Sequence, residues 1–179
     1  MALPTIGLTA RALMATAKVR PGETVLVIGA TGGVGTVVIP LLTDAKAQVI
    51  ATATAADADI LRALGADETI GYAETEYPAG ADVAFNLTLP SDHLTGVANA
   101  IRPGGRLLTI TYPVPQQEWT DRDDVGLHFV LDMDGTFGGI REVGELPATI
   151  GRRYTLDEGV QACVDFVRLH TTGKLVVTI

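Results

Sequence analysis

The sequence lacks the cysteines of a disulfide framework and the long apolar run of a membrane span. Its 179 residues include one cysteine, Cys163, which excludes an internal disulfide framework. No apolar run approaches the roughly 18 residues of a membrane span. The N-terminus also lacks the basic segment followed by an apolar stretch that marks a secretory signal. We therefore expect a cytoplasmic protein with no membrane partner.

Positive charge and aromatic residues are also scarce. The chain carries 13 Lys and Arg against 21 Asp and Glu, a net charge of −8. Such a surface does not attract a phosphate backbone, so we expect no nucleic-acid partner. Hydrophobic residues make up 47% of the chain but aromatic residues only 5%. This composition predicts one domain, residues 1–179, in which aliphatic strands are covered by helices.

Strand and helix patterns alternate along the chain. The apolar run Thr24–Gly29 predicts a strand buried on both faces, and the segment GTVVIPLLTDAKA predicts a helix that contains Pro40. Six further strands are predicted at AQVIATAT, DETI, DVAFNL, RLLTIT, GLHFVLD and KLVVTI, with a seventh at TIGRRY. Helices are predicted at DADILRALG, after a Ser91 cap, and after a capping box of Thr155 with Glu158. This alternation predicts an α/β fold, a doubly wound parallel sheet of the Rossmann type in three layers.

A glycine motif lies between the first strand and the first helix of this pattern. Gly29, Gly32 and Gly35 form GxxGxxG, which is one residue longer than the GxGxxG dinucleotide fingerprint. Gly29 would allow a tight turn, Gly32 a close approach to a pyrophosphate, and Gly35 close packing of helix on strand. The helix N-terminus supplies N–H groups and a positive dipole end for the anion. The motif therefore predicts nucleotide binding, because it stands between a strand and a helix.

The end of the second predicted strand bears on the choice of nucleotide. NAD and methyl-donor sites usually place an acidic residue there to hold the ribose hydroxyls. This chain has Ala53 at that position, between Thr52 and Thr54. The missing acid removes repulsion against a 2′-phosphate, to which both threonine hydroxyls could donate. These residues favour NADP(H), with NAD(H) as the alternative.

The side chains that could bind a metal or act as a catalytic acid or base do not form a recognisable motif in the sequence. His93, His128 and His170 lie in unrelated predicted elements without ligand spacing, so we expect no metal site and no zinc. Short-chain dehydrogenases need Tyr-x-x-x-Lys, and no tyrosine here is followed by lysine at that spacing. Cys163 falls on the apolar stripe of the last predicted helix, where we expect a buried thiol. The sequence thus predicts binding residues and no catalytic residue.

Several motifs together resemble a known family. GLTA, RPGETVLVIGATGGVG, LGAD, RPGGRLLTI and the closing YTLDEGVQAC…TTGKLVVTI are similar to the nucleotide-binding domain of medium-chain dehydrogenase/reductases. The resemblance is to the zinc-independent quinone oxidoreductase and enoyl reductase branch. It implies an NADP(H)-binding domain of an oxidoreductase that transfers hydride to a quinone or an activated double bond. It also implies a homodimer formed through an edge strand, for which GLHFVLD is the candidate.

The resemblance further implies that part of the enzyme is missing from this chain. Family members carry a GroES-like catalytic domain before the nucleotide-binding domain, and the substrate cleft lies between the two. We therefore expect the isolated chain to bind cofactor and to turn over little or no substrate.

The cofactor-binding residues are assigned by the same resemblance. At the pyrophosphate, beside the outer glycines Gly29 and Gly35, it places Gly32, Gly33 and Val34. Around the adenosine ribose and its 2′-phosphate it places Thr52, Ala53, Thr54 and Tyr72. Near the adenosine and the nicotinamide ribose it places Asn86, Leu87 and Thr111. At the carboxamide it places the backbone of Phe129, Val130 and Leu131.

One departure and two alternative functions stay open at this point. The family's usual 2′-phosphate lysine aligns with Asp57, an acid where a base is expected. The segment RPGGRLLTI is also common in methyltransferases that bind S-adenosylmethionine, although the missing acid at Ala53 argues against that class. A non-enzymatic module that senses a dinucleotide is the other alternative.

Overall fold

The computed structural model describes residues 4–72, 77–131 and 146–178, which form strands and helices in alternation. The helices are Pro4–Ala17 (α1), Gly35–Asp44 (α2), Ala58–Leu64 (α3), Thr95–Ala100 (α4) and Gly159–Arg168 (α5). The first strands are Thr24–Ile28 (β1), Gln48–Ala53 (β2), Glu68–Gly71 (β3) and Ala81–Asn86 (β4). The later strands are Ile101–Thr109 (β5), Gly126–Phe129 (β6), Ile150–Thr155 (β7) and Lys174–Thr178 (β8).

Six of these strands form one parallel sheet in the order β3-β2-β1-β4-β5-β6. The chain runs outward from β1 to β3 and then returns to continue on the other side with β4. This reversal beside β1 is the topological switch point, where open α/β sheets bind ligands at the carboxyl ends of their strands. The predicted α/β, doubly wound Rossmann-type fold is confirmed.

The core lies on both faces of this sheet because the central strands alternate between two helical layers. Val25, Val27 and Phe85 face the layer that contains α1, α2 and α3. Leu26 and Ile28 face the other layer, which contains α4. All five side chains are almost fully buried. A continuous apolar run is what a strand covered on both sides requires.

The last two strands leave the main sheet. β7 and β8 pair in parallel as a separate two-stranded sheet, with α5 packed beside it. The predicted capping box of Thr155 with Glu158 is confirmed, and it opens a short 3-10 helix, Leu156–Glu158, ahead of α5. Gly173 joins this unit to the main sheet through a bridge to Gly32.

The prediction of a buried thiol at Cys163 is wrong. Cys163 is exposed, and its apolar neighbours Val160 and Val167 are 80% and 81% exposed. Ala162 is the buried residue of α5, so the helix turns its small side toward the described part of the chain. The apolar stripe correctly predicts the helix α5, but it does not predict which side of that helix is buried.

Two smaller predictions also differ from the structure. The apolar spacing in DADILRALG predicts that Ile60, Leu61 and Leu64 face inward, but Ile60 is 42% exposed, and Leu61 is the buried residue of that helix. Ser91 does not cap a helix, because its hydroxyl donates to the carbonyl oxygen of Thr111 at 2.7 Å. The helix predicted after Ser91 is divided into a 3-10 turn, Ser91–His93, and α4. Within the described ranges, no helix has the length and apolar character needed to cross a membrane.

Candidate functional site

The glycine motif forms a tight turn at the carboxyl end of β1. Gly29 has a φ of +81°, in the left-handed region that favours glycine. Its N–H donates to the hydroxyl of Thr52 at 3.0 Å, and the N–H of Gly32 donates to the carbonyl of Gly29 at 3.1 Å. The turn is therefore fixed partly by its own backbone and partly by β2.

The third glycine brings α2 against the turn. A methyl group on Gly35 would lie 2.3 Å from the carbonyl oxygen of Ala30, so only glycine allows this approach. α2 then begins at Gly35 and directs its N-terminus toward the turn. The N–H groups in the first turn of a helix lack intrahelical partners and carry the positive end of the helix dipole, which suits an anion.

A cavity of about 340 Å³ opens beside this turn. The residues that line it come from β1 and its turn, from the ends of β3 and β4, and from the segment before β8. They are Gly29, Thr31, Gly32, Tyr72, Leu87, Thr88, His170 and Thr171. The last segment is fastened to the turn, since the N–H of Gly173 donates to the carbonyl of Thr31 at 2.7 Å. The C-terminal part of the chain thus forms one wall of the candidate site.

Lys174 is a site residue that the sequence did not reveal. A methyl group on Gly33 would lie 3.1 Å from both Cδ and Cε of Lys174, so the lysine side chain runs across the turn. This places the stem of a cationic side chain beside a glycine predicted to meet a pyrophosphate. Its position in a distant closing strand gave no indication of this contact.

The three residues predicted at the adenosine ribose have different surroundings. Thr52 is 1% exposed, and its hydroxyl accepts from Gly29 and donates to Val27, so it supports the turn from inside the protein. The expected donation from Thr52 to a 2′-phosphate is thus not compatible with this arrangement. Ala53 and Thr54 line a neighbouring cavity of about 350 Å³, together with Arg62.

Tyr72 lies on the cavity beside the glycine turn. Its hydroxyl makes a short hydrogen bond with the hydroxyl of Thr31, and its ring meets the His170 ring edge-on, with centroids 5.8 Å apart. Burial raises the pKa of Tyr72 above its ordinary value. The phenol is therefore neutral at physiological pH and available for hydrogen bonding.

Asn86 organises the loop after β4 and does not present its amide to the cavity. It is fully buried, and its Nδ2 donates to the carbonyl of Leu89 at 2.8 Å and to the hydroxyls of Thr109 and Thr111 at 3.0 and 3.1 Å. Its Oδ1 accepts from the N–H of Leu89 at 2.9 Å. Asn86 therefore supports the loop after β4 from inside the protein, whereas Leu87, predicted beside it, lines the cavity.

The remaining predicted residues lie around a different opening. Val130 is buried and donates its N–H to the carbonyl of Thr109 at 2.9 Å, whereas Leu131 is half exposed. Both line a cavity of about 290 Å³ with residues of α1. Phe129 contacts Tyr112 edge-on at 5.3 Å. The structure therefore places Phe129 to Leu131 at the carboxyl edge of the sheet but apart from the glycine turn. Among the described residues, no group of three or more His, Cys, Asp or Glu could hold a metal ion.

Comparison with known proteins relates this fold and turn to one family. No family model matches the chain. The chloroplast envelope quinone oxidoreductase homolog of Arabidopsis thaliana is 28% identical over 202 residues, which cover 98% of this chain and 60% of that protein. The enoyl reductase CurK superposes with a TM-score of 0.85 at 25% identity, over 99% of this chain and 61% of that chain. The quinone oxidoreductase of Thermus thermophilus, whose structure includes a complex with NADPH, gives 0.82 at 25% identity, over 99% and 65%.

These relatives are quinone oxidoreductases and an enoyl reductase of the medium-chain dehydrogenase/reductase family, and the chain is similar to their nucleotide-binding domain. The relatives match it along nearly its whole length, from α1 through the glycine turn to the closing β8. The chain in turn spans about three fifths of the length of these relatives. What they share with it is the nucleotide-binding sheet of the medium-chain dehydrogenase/reductase fold.

Proposed function

We propose that this chain binds NADP(H) as the cofactor half of a zinc-independent oxidoreductase that transfers hydride to a quinone or an activated double bond. The observation that carries the proposal is the glycine turn between β1 and α2, closed on one side by the segment that leads to β8. The likeness to quinone oxidoreductases and an enoyl reductase supports the reaction class.

The residues around the turn have the chemistry that a dinucleotide requires. Gly32 and Gly33 carry no side chain that would keep a pyrophosphate away from the backbone, and the N-terminus of α2 supplies N–H donors. Lys174 crosses Gly33 and would offset negative charge on the pyrophosphate. Tyr72 would contact the adenosine end from the end of β3, and Leu87 would pack against it from the end of β4.

The chain's own residues would bind and orient the cofactor and would not exchange protons with a substrate. When bound, the nicotinamide supplies the hydride, and the protein supplies orientation and electrostatics. We propose that Thr111 and the backbone of Phe129 to Leu131 lie on the nicotinamide side. A substrate pocket would need a second domain across the cavity.

Binding can be tested by calorimetry with NADPH, NADH and S-adenosylmethionine, on the wild-type chain and on G32A. We expect NADPH to bind most tightly, and G32A to lose at least about tenfold in affinity, because the methyl group would occupy the space of a pyrophosphate oxygen. A Cβ on Gly32 would lie 3.3 Å from the carbonyl oxygen of Gly29, which is closer than an ordinary van der Waals contact, so the turn would shift by a few tenths of an ångström. G32A should therefore lower the urea midpoint slightly and remain folded under the conditions of the titration.

Several outcomes would contradict the proposal. If S-adenosylmethionine alone binds, the site is that of a methyl donor. If none of the three compounds binds, the proposed dinucleotide function is wrong. The same protein should reduce quinones with NADPH at little or no rate. Robust quinone reduction by the chain alone would overturn the assignment of a cofactor half.

We also propose that the chain forms a homodimer through β6. This strand lies at one end of the six-stranded sheet, where its free edge has unpaired backbone groups in the described part of the chain. Sedimentation analysis should give twice the mass of 18.7 kDa. L127P, a substitution in β6 that removes a backbone donor, should shift the protein to the monomer if the edge pairs. A wild-type monomer at high concentration would refute the pairing.

A further inference from the structure

An acidic side chain is buried where the chain leaves β2. Asp57 precedes α3 and is 7% exposed. Its carboxylate accepts hydrogen bonds from the hydroxyls of Thr54 and Thr172, the first at 2.5 Å. Burial raises the pKa of Asp57, but the bonds from Thr172, Thr54 and His170 outweigh this effect and hold its pKa below the ordinary value. Asp57 is therefore ionised at neutral pH, and it is not among the residues that line the cavity.

His170 connects this buried acid with the cavity beside the glycine turn. Its Nε2 lies 2.9 Å from Oδ2 of Asp57, although the two residues are 113 positions apart in the sequence. Its side chain is 47% exposed, and it lines the same cavity as Gly29, Gly32 and Tyr72. One nitrogen of the imidazole is thus occupied by Asp57, while the ring borders the space that would hold the dinucleotide.

The pair of Asp57 and His170 lies near the end of β2, and in Rossmann-type folds the end of the second strand binds part of the dinucleotide. The adenosine ribose of a bound dinucleotide lies at the end of the second strand, where an acid holds the 2′-hydroxyl or a cation accommodates a 2′-phosphate. In this chain, Ala53 ends β2, and the acid that follows is already satisfied by internal donors. Of the described residues that line this cavity, His170 is the one whose side chain can carry a positive charge.

We propose that His170, held in place by Asp57, is the specificity-determining residue that selects between phosphorylated and unphosphorylated dinucleotides, and that it makes this selection depend on pH. This inference rests on the proposed dinucleotide binding and adds a residue to it. Protonated His170 makes a charge-assisted hydrogen bond to a 2′-phosphate and offsets the charge of Asp57. Neutral His170 leaves Asp57 as an uncompensated negative charge near the phosphate.

The sign of the effect follows from the groups that face His170. These are Asp57 from the loop before α3 and the Tyr72 phenol from the end of β3, while Lys174, further along the segment of His170, has its stem beside Gly33. Asp57 stays ionised, and Tyr72 stays neutral, across the range in which histidine changes charge, about pH 5 to 8. The local charge therefore falls by one as the pH rises through this range. The affinity for NADP⁺ falls with it, whereas the affinity for NAD⁺ changes little.

The test is calorimetric titration of the 179-residue chain with NADP⁺ and NAD⁺ between about pH 5.5 and about pH 8.5. The ratio of the two affinities should shift toward NAD⁺ by about tenfold in the wild type, the size of one charge-assisted hydrogen bond. H170Q keeps a polar side chain without the charge and should remove this shift. A phosphate monoester has its own ionisation near about pH 6, but it is common to both proteins, so the difference between them isolates His170.

Two further variants sharpen the test. D57N removes the negative charge, so NADP⁺ should bind more tightly than in the wild type at the high end of the range. H93Q changes an exposed histidine that is not among the residues lining the cavity, and it should reproduce the wild-type profile.

The outcomes separate this inference from the function on which it rests. Binding of both cofactors with a ratio that is independent of pH, or with the same profile in wild type and H170Q, would overturn the role of His170 and leave dinucleotide binding intact. Failure of both cofactors to bind the wild type would overturn the proposed function and this inference with it. If H170Q does not fold, the comparison of the wild type with D57N decides the question, because the phosphate ionisation is common to both, and equal NADP⁺ affinities at the high end of the pH range would overturn the inference.

Discussion

G35A is expected to lower the free energy of unfolding by at least about 3 kcal/mol and to abolish dinucleotide binding. The new methyl group would lie 2.3 Å from the carbonyl oxygen and 2.6 Å from the Cα of Ala30. Both neighbours are backbone atoms, so no side chain can rotate away. α2 would have to move off the end of β1, which would disturb the core beneath it and the donors at its N-terminus. Urea unfolding followed by circular dichroism measures the loss.

Gly159 provides the matched control for this substitution. It begins α5 with a φ of −56°, and a methyl group there would have no neighbour within 4 Å. G159A should keep or slightly raise the stability, because alanine favours a helix over glycine by up to about 1 kcal/mol. Equal urea midpoints for G35A and G159A would show that the close contact between α2 and β1 is not as described.

N86L should destabilise the protein by about 3 kcal/mol, although leucine has nearly the same size. Asn86 is 0% exposed, and its amide joins the end of β4 to the end of β5 through Thr109 and Thr111. Leucine would remove the acceptor of the Leu89 N–H and the amide donor to the hydroxyls of Thr109 and Thr111, and buried polar groups without partners are costly. The loop that carries Leu87 into the cavity would also lose its anchor, so dinucleotide affinity should fall as well.

The control for N86L is the same substitution at an exposed position. Asn99 lies on the exposed side of α4, and N99L should change stability by less than about 0.5 kcal/mol. Thermal unfolding of the two variants beside the wild type provides the comparison. If N86L and N99L unfold at the same temperature, the hydrogen bonds of Asn86 do not hold the loop after β4 in place.

Much of the fold could be predicted from the sequence because its signals are local. The apolar run of β1, the glycines and the apolar spacing of α2 lie within one continuous stretch, and each fixes a backbone conformation nearby. Gly65 similarly ends α3 with a φ of +111°. The family resemblance then supplied site residues, of which Gly29, Gly32, Tyr72 and Leu87 do line one cavity.

Predictions that depend on which surface is covered were less successful. The stripe on α5 has the spacing of a buried face, yet Val160 and Cys163 are exposed. Thr52 and Asn86 were identified as polar groups at strand ends, but burial gives both an internal role. Periodicity shows that one face of a helix is apolar. Which element covers that face depends on how segments distant in the sequence pack together.

The sequence by itself therefore determined the strand–helix alternation, the parallel sheet and the glycine turn at its carboxyl edge. Only the tertiary structure decided what closes that turn. The bridge from Gly173, the passage of Lys174 over Gly33 and the pairing of His170 with Asp57 all join the end of the chain to its beginning. Such contacts leave no local pattern, because they arise from how the β7–β8 unit docks on the sheet and not from the backbone preferences of neighbouring residues.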